Sequence, residues 1–406
     1  MSLIREIPPT AGWPLTIRSL ILSSFKKHPQ GLLEKDFKIY LNAPIALLTY
    51  SGTAAFYLIL ETLKKLSDKK TVIIPAFICP LIPLAIKKAG LKIKVCDTNA
   101  FNFNFDTVKL KNICKESDDL LAILAVHLGG LPIDFEALKE IAQTQAAFII
   151  EDCAQSLGAQ YHAKKTGSLG DFSFFSLCRG KGLSIYEGGL AVSNRAEHAQ
   201  ILKATAKEII NQDTPSECLK IAELFAYSIF YRPALFWFAF RLPQIFWQLR
   251  NEPVRVMGEY FKSNFPMHKV SAFREYIGHI NFPYLDEKIE AQRKKVAIYL
   301  SELNDIPGIK PIVELPQTKA SYPYLAIIFD DQKKRDLALR TFKHSGLGVS
   351  QVYLCAITDY AYLKNIIPNA NCPNSQLLAG KTLSLSTSSF LKKADLQNII
   401  QKLKKL

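Results

Sequence analysis

The stretch "IIEDCAQSLGA", residues 149 to 159, decides how the chain folds. Its lead-in "AAFIIED" (146 to 152) has the length and the β-branched and aromatic character of a buried strand, and it ends on a carboxylate, Asp152. Open α/β sheets bind ligands at the carboxyl ends of their strands, which is where Asp152 stands. A carboxylate buried there is costly unless a cation or a strong donor meets it.

Working outward, "TVIIPAF" (71 to 77), "LLAILAVHL" (120 to 128) and "DFSFFSL" (171 to 177) read as further buried strands. Between them lie helical stretches, "PLAIKKAG" (83 to 90) and "DFEALKEIAQTQ" (134 to 145), the second opening on an N-cap aspartate. Strands alternating with helices predict an α/β fold with a mostly parallel central sheet. From about residue 282 the pattern changes. "LDEKIEAQRKKVAIYLSELNDI" (285 to 306) is a long amphipathic helix, "YPYLAIIF" (322 to 329) a strand, "QKKRDLALRTFKHSG" (332 to 346) a helix closing on a C-cap glycine, and "KADLQNIIQKLKKL" (393 to 406) a terminal helix. The expected organisation is a large domain over 1–280 and a smaller C-terminal α+β domain over 281–406.

With 406 residues, 49% of them hydrophobic, the chain can bury a large core. The 51 Lys and Arg against 36 Asp and Glu leave a formal +15, which favours phosphorylated metabolites, acidic lipid surfaces or nucleic acid. No recognisable nucleic-acid motif accompanies that charge, so nucleic acid is not an expected partner. The eight cysteines form neither a CxxC pair nor a Cys/His cluster. No metal site or disulfide framework is predicted, and a reducing cytosol fits. The opening "MSLIREIPPTAGWPL" lacks the pattern of a secretory signal, and no uncharged apolar run reaches the roughly 18 residues of a membrane span. A cytoplasmic location follows as an expectation.

One segment stands apart. "LFAYSIFYRPALFWFAFRLPQIFW" (224 to 247), inside an insert of about 219–250, is dense in aromatics and broken only by Arg232, Pro233, Arg241 and Pro243. It fits a helical hairpin packed on the protein or on a dimer partner. A second reading is an interfacial hairpin lying on a membrane with its arginines at headgroup level.

The lysine in "FFSLCRGKGLSIYEGG" (174 to 189) raises the question of chemistry. A phosphate-binding GxxxxGK loop fails, because Phe175 holds the first glycine position and Gly182 follows Lys181 in place of a hydroxyl residue. A dinucleotide fingerprint fails at Ile185. In "LLTYSGTAAFYLILETLKK" (47 to 65), however, a Ser-Gly-Thr turn opens a helix, and its free amides and hydroxyls suit a phosphate. A phosphate cradle, a buried carboxylate suited to a ring-nitrogen cation and a lysine in a glycine-flanked loop are the three things pyridoxal phosphate requires.

The succession "YSGTAA", "VIIPAF", "AVHLGGLPID", "IIEDCAQSLGA", "KKTGSLGDFSFFS", "GKGL" and "EGGLAVSN" resembles the DegT/DnrJ/EryC1/StrS sugar aminotransferases, fold-type I pyridoxal phosphate enzymes. The likeness runs from about residue 40 to 200, with a weaker echo from 270 onward. It implies Lys181 as the Schiff-base lysine, Asp152 as the partner of the pyridine nitrogen, Gln155 packed by the cofactor ring, Ser176 as a phosphate ligand, and Gly52 and Thr53 as the phosphate turn. It further implies a homodimer that moves an amino group from an amino-acid donor, commonly glutamate, to a nucleotide-linked keto sugar in cell-surface polysaccharide assembly. Dehydrating members replace the lysine with histidine, so Lys181 speaks for transamination.

The chain also departs from the family. Cys79 stands where members carry an aromatic that stacks on the cofactor, leaving Phe77 as the nearby substitute, and Met267 and Lys269 fall on the asparagine and arginine of the "NxRM" segment. The family's C-terminal substrate loop reads "VSQVYLCAITDYAYL" (349 to 363) here. These departures motivate a second reading, a membrane-associated, non-catalytic or regulatory protein that binds the cofactor on the same fold.

Overall fold

The computed structural model describes residues 5–304 and 306–406. The central sheet draws on β1 (Ile45–Thr49), β2 (Thr71–Pro75), β3 (Lys92–Cys96), β4 (Leu120–Val126) and β5 (Phe148–Asp152). After the two-residue strands β6 (Gln160–Tyr161) and β7 (Lys164–Lys165) come β8 (Phe172–Ser176) and β9 (Gly189–Ser193). Seven strands pair in the order β1-β9-β8-β5-β4-β2-β3. The β3–β2, β2–β4, β4–β5 and β5–β8 pairs are parallel, and β9 runs antiparallel to both β8 and β1.

Alternation along each strand explains the two covered faces. Val72, Ile74, Leu124, Val126 and Ile150 pack with Phe56, Leu60 and Leu63 of the helix Gly52–Leu66. Their neighbours Ile73, Ile123, Ala125 and Ile149 point the other way, against Phe135, Leu138 and Ile141 of the helix Phe135–Thr144. That helix is capped as the sequence predicts, Asp134 accepting from the Ala137 amide. Because β1 and β8 both run against β9, the carboxyl ends of β1, β4, β5 and β8 share one edge of the sheet.

The C-terminal part adds an antiparallel sheet of β10 (Ile309–Pro311), β12 (Tyr324–Phe329) and β13 (Thr382–Ser386), while β11 (Thr318–Lys319) pairs with β6. The long helix spans Leu285–Leu303 and the terminal one Lys393–Lys404. The expected C-cap glycine is displaced. The helix Gln332–Phe342 stops four residues before Gly346, which takes a left-handed φ of 64° in a later turn where a Cβ would stand 2.1 Å from the Arg5 carbonyl oxygen.

The aromatic insert is a bent helical hairpin. The helix Thr214–Phe230 ends ahead of Pro233, whose ring disfavours helical backbone at the preceding residue. A second run follows through Pro233–Phe236, a widened turn over Trp237–Arg241, and Leu242–Leu249. Tyr227 and Tyr231 are buried, and the Tyr227 hydroxyl donates to the Trp13 carbonyl at 2.9 Å. The second run has no buried residue, so only the first half of the hairpin packs as a core element. No helix among the described residues is long and apolar enough to cross a membrane.

Candidate active site

At the shared strand edge lies a cavity of about 520 Å³, and every predicted site residue lines it: Gly52, Thr53, Asp152, Gln155, Ser176 and Lys181. They arrive from several separate pieces of backbone. Asp152 ends β5, Ser176 ends β8, and Gly52 and Thr53 open the helix that follows β1. Ser51 caps that helix by accepting from the Ala54 amide, which leaves the Gly52 and Thr53 amides without intrahelical partners at the positive end of a 15-residue helix. β9 crosses the turn so closely that a Cβ on Gly189 would lie 2.3 Å from the Ser51 carbonyl carbon. A Cβ on Gly52 would lie 3.0 Å from that of Ser176. These contacts press the hydroxyl of Ser176 and the helix start into one anion-sized cradle.

Asp152 is buried and accepts one hydrogen bond, from the Ala154 amide at 3.0 Å. Burial pushes its carboxyl up to about 6, against the downward pull of that amide and of the Lys181 ammonium. A carboxyl raised by desolvation with so few donors is suited to a cationic N–H from a ligand, which is the chemistry a pyridinium ring offers. Gln155 is fixed differently. Its Oε1 accepts from the Gly129 amide and the Tyr324 hydroxyl, both at 2.9 Å, so its amide nitrogen is the end left for a ligand. The buried carboxylate, the cradle and the lysine therefore fit pyridoxal phosphate in charge and in hydrogen-bonding sense.

Lys181 sits on a loop closed by the Arg179 amide donating to the Tyr186 carbonyl at 2.7 Å. Of its flanking glycines only Gly180 is left-handed, with φ 79°, while Gly182 takes no positive φ and has open space where a Cβ would stand. The Gly180 carbonyl accepts from Thr10 Oγ1 at 2.8 Å, which ties the lysine loop to the N-terminal segment.

The structure also corrects the substitutes expected around the ring. Phe77 is buried in the core against Phe103 and Tyr353 and does not line the cavity, whereas Cys79 does. Burial pushes the Cys79 thiol up to about 12, so it is a neutral, small lining group. Met267 packs against the core, and the segment before it sends Lys262 and Asn264 to the cavity instead. Tyr353, from the stretch matched to the substrate loop, lines it too.

His127, Tyr50, Arg179 and Glu187 are lining residues that no sequence pattern singled out. His127 Nδ1 accepts from the Ile133 amide at 3.2 Å, so Nε2 carries the proton given to Glu151 at 3.0 Å. His127, Glu151 and Cys153 bring one possible metal-ligating atom each to within 4.8 Å of one another. Yet Glu151 already accepts from the Gly167, Leu169 and Gly170 amides, and that carboxylate is a structural anchor of the loop after β7.

Beside this cavity is a second one of about 530 Å³, sharing Arg179 and Tyr186 with it. Its walls are Tyr227, Phe230, Tyr231, Phe236 and Phe240 of the insert and Pro8 to Thr10 of the N-terminal segment.

Comparison with known proteins agrees with this architecture. The sequence model of the DegT/DnrJ/EryC1/StrS aminotransferase family matches residues 26–221 and 243–404. Among curated proteins the chain is 32% identical over 174 residues to a GDP-4-keto-6-deoxy-D-mannose 3-dehydratase of Yersinia pseudotuberculosis, covering 42% of this chain and 44% of that protein. It is 32% identical over 161 residues to a GDP-perosamine synthase of Escherichia coli O157:H7, covering 40% and 43%. The matched stretch is thus less than half the length of either relative. Among solved structures, an E. coli GDP-4-keto-6-deoxy-D-mannose-3-dehydratase with bound hydrated PLP superposes with TM-score 0.75 at 18% identity, over 98% of this chain and 100% of that one. The PLP form of a putative sugar aminotransferase, Spr1654 of Streptococcus pneumoniae, does so with TM-score 0.77 at 16% identity, over 98% of both chains. The fold is that of these proteins.

Proposed function

The chain belongs to the DegT/DnrJ/EryC1/StrS aminotransferase family, and from that premise we propose that it is a pyridoxal phosphate-dependent aminotransferase. Its donor is an amino acid, glutamate in the first instance, and its acceptor a keto sugar carried on a phosphate-bearing group. A nucleotide fills that role in the GDP-sugar proteins to which the chain is similar, and the product feeds polysaccharide assembly. The observation that supports the reading is the meeting of Lys181, Asp152 and the phosphate cradle in one cavity.

When bound, pyridoxal phosphate supplies an electron sink for the bond-breaking at the donor α-carbon. The amides of Gly52 and Thr53 and the Ser176 hydroxyl would hold its phosphate. Asp152 would accept from the ring N–H and favour the positive charge there, and Gln155 would lie beside the ring. Lys181 would be the residue that holds the cofactor covalently, and its Nζ, when free, would be the base that takes the donor α-carbon proton and the acid that gives one to the acceptor carbon. Substituting Lys181→Ala is expected to abolish the visible absorbance of protein-bound cofactor; an unchanged band in the variant overturns the assignment.

The same reading includes a homodimer working in the cytoplasm, with peripheral membrane contact through 224–247. A second reading, a non-catalytic cofactor binder, draws on Cys79 at the ring-stacking position. Glutamate separates the two. An enzyme changes its cofactor spectrum on glutamate addition and releases 2-oxoglutarate, and a binder does neither.

A further inference from the structure

The helical run from Pro233 to Leu249 has two unlike faces. Phe236 and Phe240 stack on each other at 5.0 Å and wall the second cavity. Phe238, Leu242, Phe246 and Leu249 recur every three or four positions, which puts them on one side of the run, and they are 42%, 49%, 47% and 81% exposed. Single exposed apolar residues are ordinary, but a row of four along one helical face is an unpartnered surface.

Charge selects its occupant. Between Leu224 and Asn251 the charged residues are Arg232, Arg241 and Arg250, with no acidic one among them. Arg250 lies over the Phe246 ring at 4.4 Å, at the end of the apolar row, while Arg241 is turned to the Lys343 carbonyl and Gln244. A second copy meeting this face would present the same run, whose charged residues are all arginines, and so would offer it no carboxylate from that run to pair them. An anionic lipid surface complements both the apolar row and the arginines. Trp237 and Trp247, half-buried in the same run, have the amphipathic rings that favour a membrane boundary. The family's sequence model leaves 222–242 unmatched, which takes in the hairpin's bend and the start of its second run, while 243–249 falls within the match.

We propose that the outward face of 233–249 docks on an anionic membrane surface, with Phe238, Leu242, Phe246 and Leu249 seated at the acyl boundary and Arg250 among the headgroups. The proposal deepens the peripheral-contact reading and is independent of the chemistry assigned to Lys181.

The test is flotation of the cofactor-loaded full chain with vesicles of phosphatidylcholine containing phosphatidylglycerol, and with phosphatidylcholine alone. The protein is expected to float with the anionic vesicles and to lose binding as salt rises. Leu249→Glu combined with Phe246→Glu should weaken binding by at least about tenfold, and Arg250→Gln by about fivefold on anionic vesicles only. Lys181→Ala should float like the parent, so failure of the catalytic reading is seen separately. Light scattering on the Phe246→Glu/Leu249→Glu variant gives the second readout. An unchanged oligomeric state with an unchanged cofactor spectrum supports docking on lipid. Absence of flotation with anionic vesicles, or dissociation of the variant into smaller species, overturns the proposal, the latter in favour of an interface between copies.

Discussion

Asp152 carries the sharpest residue-scale expectation. Its carboxyl is raised by burial from 3.8 to about 6, so the folded, cofactor-free protein keeps that proton until the pH approaches about 6. The stability this proton contributes is present below the ordinary carboxylate range and is lost as pH rises through about 6, an effect of about 3 kcal/mol at most. Glu6 and Glu259 are also raised by burial, both to about 7, so the readout is the difference between parent and Asp152→Asn in thermal melts from pH 4 to 7. The variant should be the less pH-sensitive of the two. With cofactor the sign reverses: affinity should climb as pH passes 6 in the parent, and Asp152→Asn should bind about ten- to a hundredfold more weakly, the worth of a charge-assisted hydrogen bond. Gly189→Ala tests the cradle in another way. Its Cβ would collide with the Ser51–Gly52 peptide, and the resulting overpacking should cost about 1–3 kcal/mol and release phosphate-bearing cofactor in equilibrium dialysis. At this scale much of the site was legible, because Asp152 ends an apolar run and Ser-Gly-Thr opens a helical one. Tyr324 was not, since its hydroxyl reaches Gln155 from 169 positions away and leaves no local spacing to read.

Elements were legible where their hydrophobic period is clean and illegible where they depend on distant partners. The strands at 71, 120, 148 and 172 all start within two residues of their apolar runs. The hairpin's aromatic density was equally plain, but its fixing point was not. Arg274, fully buried, donates to both oxygens of Glu217 on the helix Thr214–Phe230, at 3.0 and 2.6 Å. Its remaining nitrogen donates to the Ile185 and Glu187 carbonyls beyond the lysine. One guanidinium thus joins the hairpin to the loop that carries Lys181. An arginine in "SAFREYIGHINF" gives no hint of this, because its partners lie 57 to 89 residues upstream. Arg274→Met should strand the Glu217 carboxylate and destabilise the fold by about 3–5 kcal/mol in denaturant titrations. Adding Glu217→Leu should recover a large part of that loss, which distinguishes an uncompensated charge from lost packing.

Across the whole molecule the N-terminal segment is the stitch. Ile7 donates its amide to Gly346, the Pro8 carbonyl accepts from Ser386, and Ala11 donates to Pro323, all in the C-terminal part. Thr10, between them, holds the Gly180 carbonyl, and the Tyr231 hydroxyl of the hairpin reaches the Thr10 carbonyl at 3.4 Å. The C-terminal sheet, the hairpin and the lysine loop therefore share one short strap. Pairings separated by 170 to 390 positions are beyond any sequence window, so "IPPTAGW" offered nothing but two prolines and a turn. Two substitutions along the strap separate its roles. Arg5 pairs with Asp395 at 2.7 Å near the surface, and Arg5→Ala should cost under about 1 kcal/mol and leave the cofactor in place. Thr10→Val removes a single hydrogen bond, also worth about 1 kcal/mol, but removes it from the loop that positions Lys181. If the strap acts on the site, the cofactor off-rate rises about fivefold in Thr10→Val and stays unchanged in Arg5→Ala, although their melting temperatures fall alike. Equal off-rates at equal loss of stability would reduce the strap to a purely structural tie.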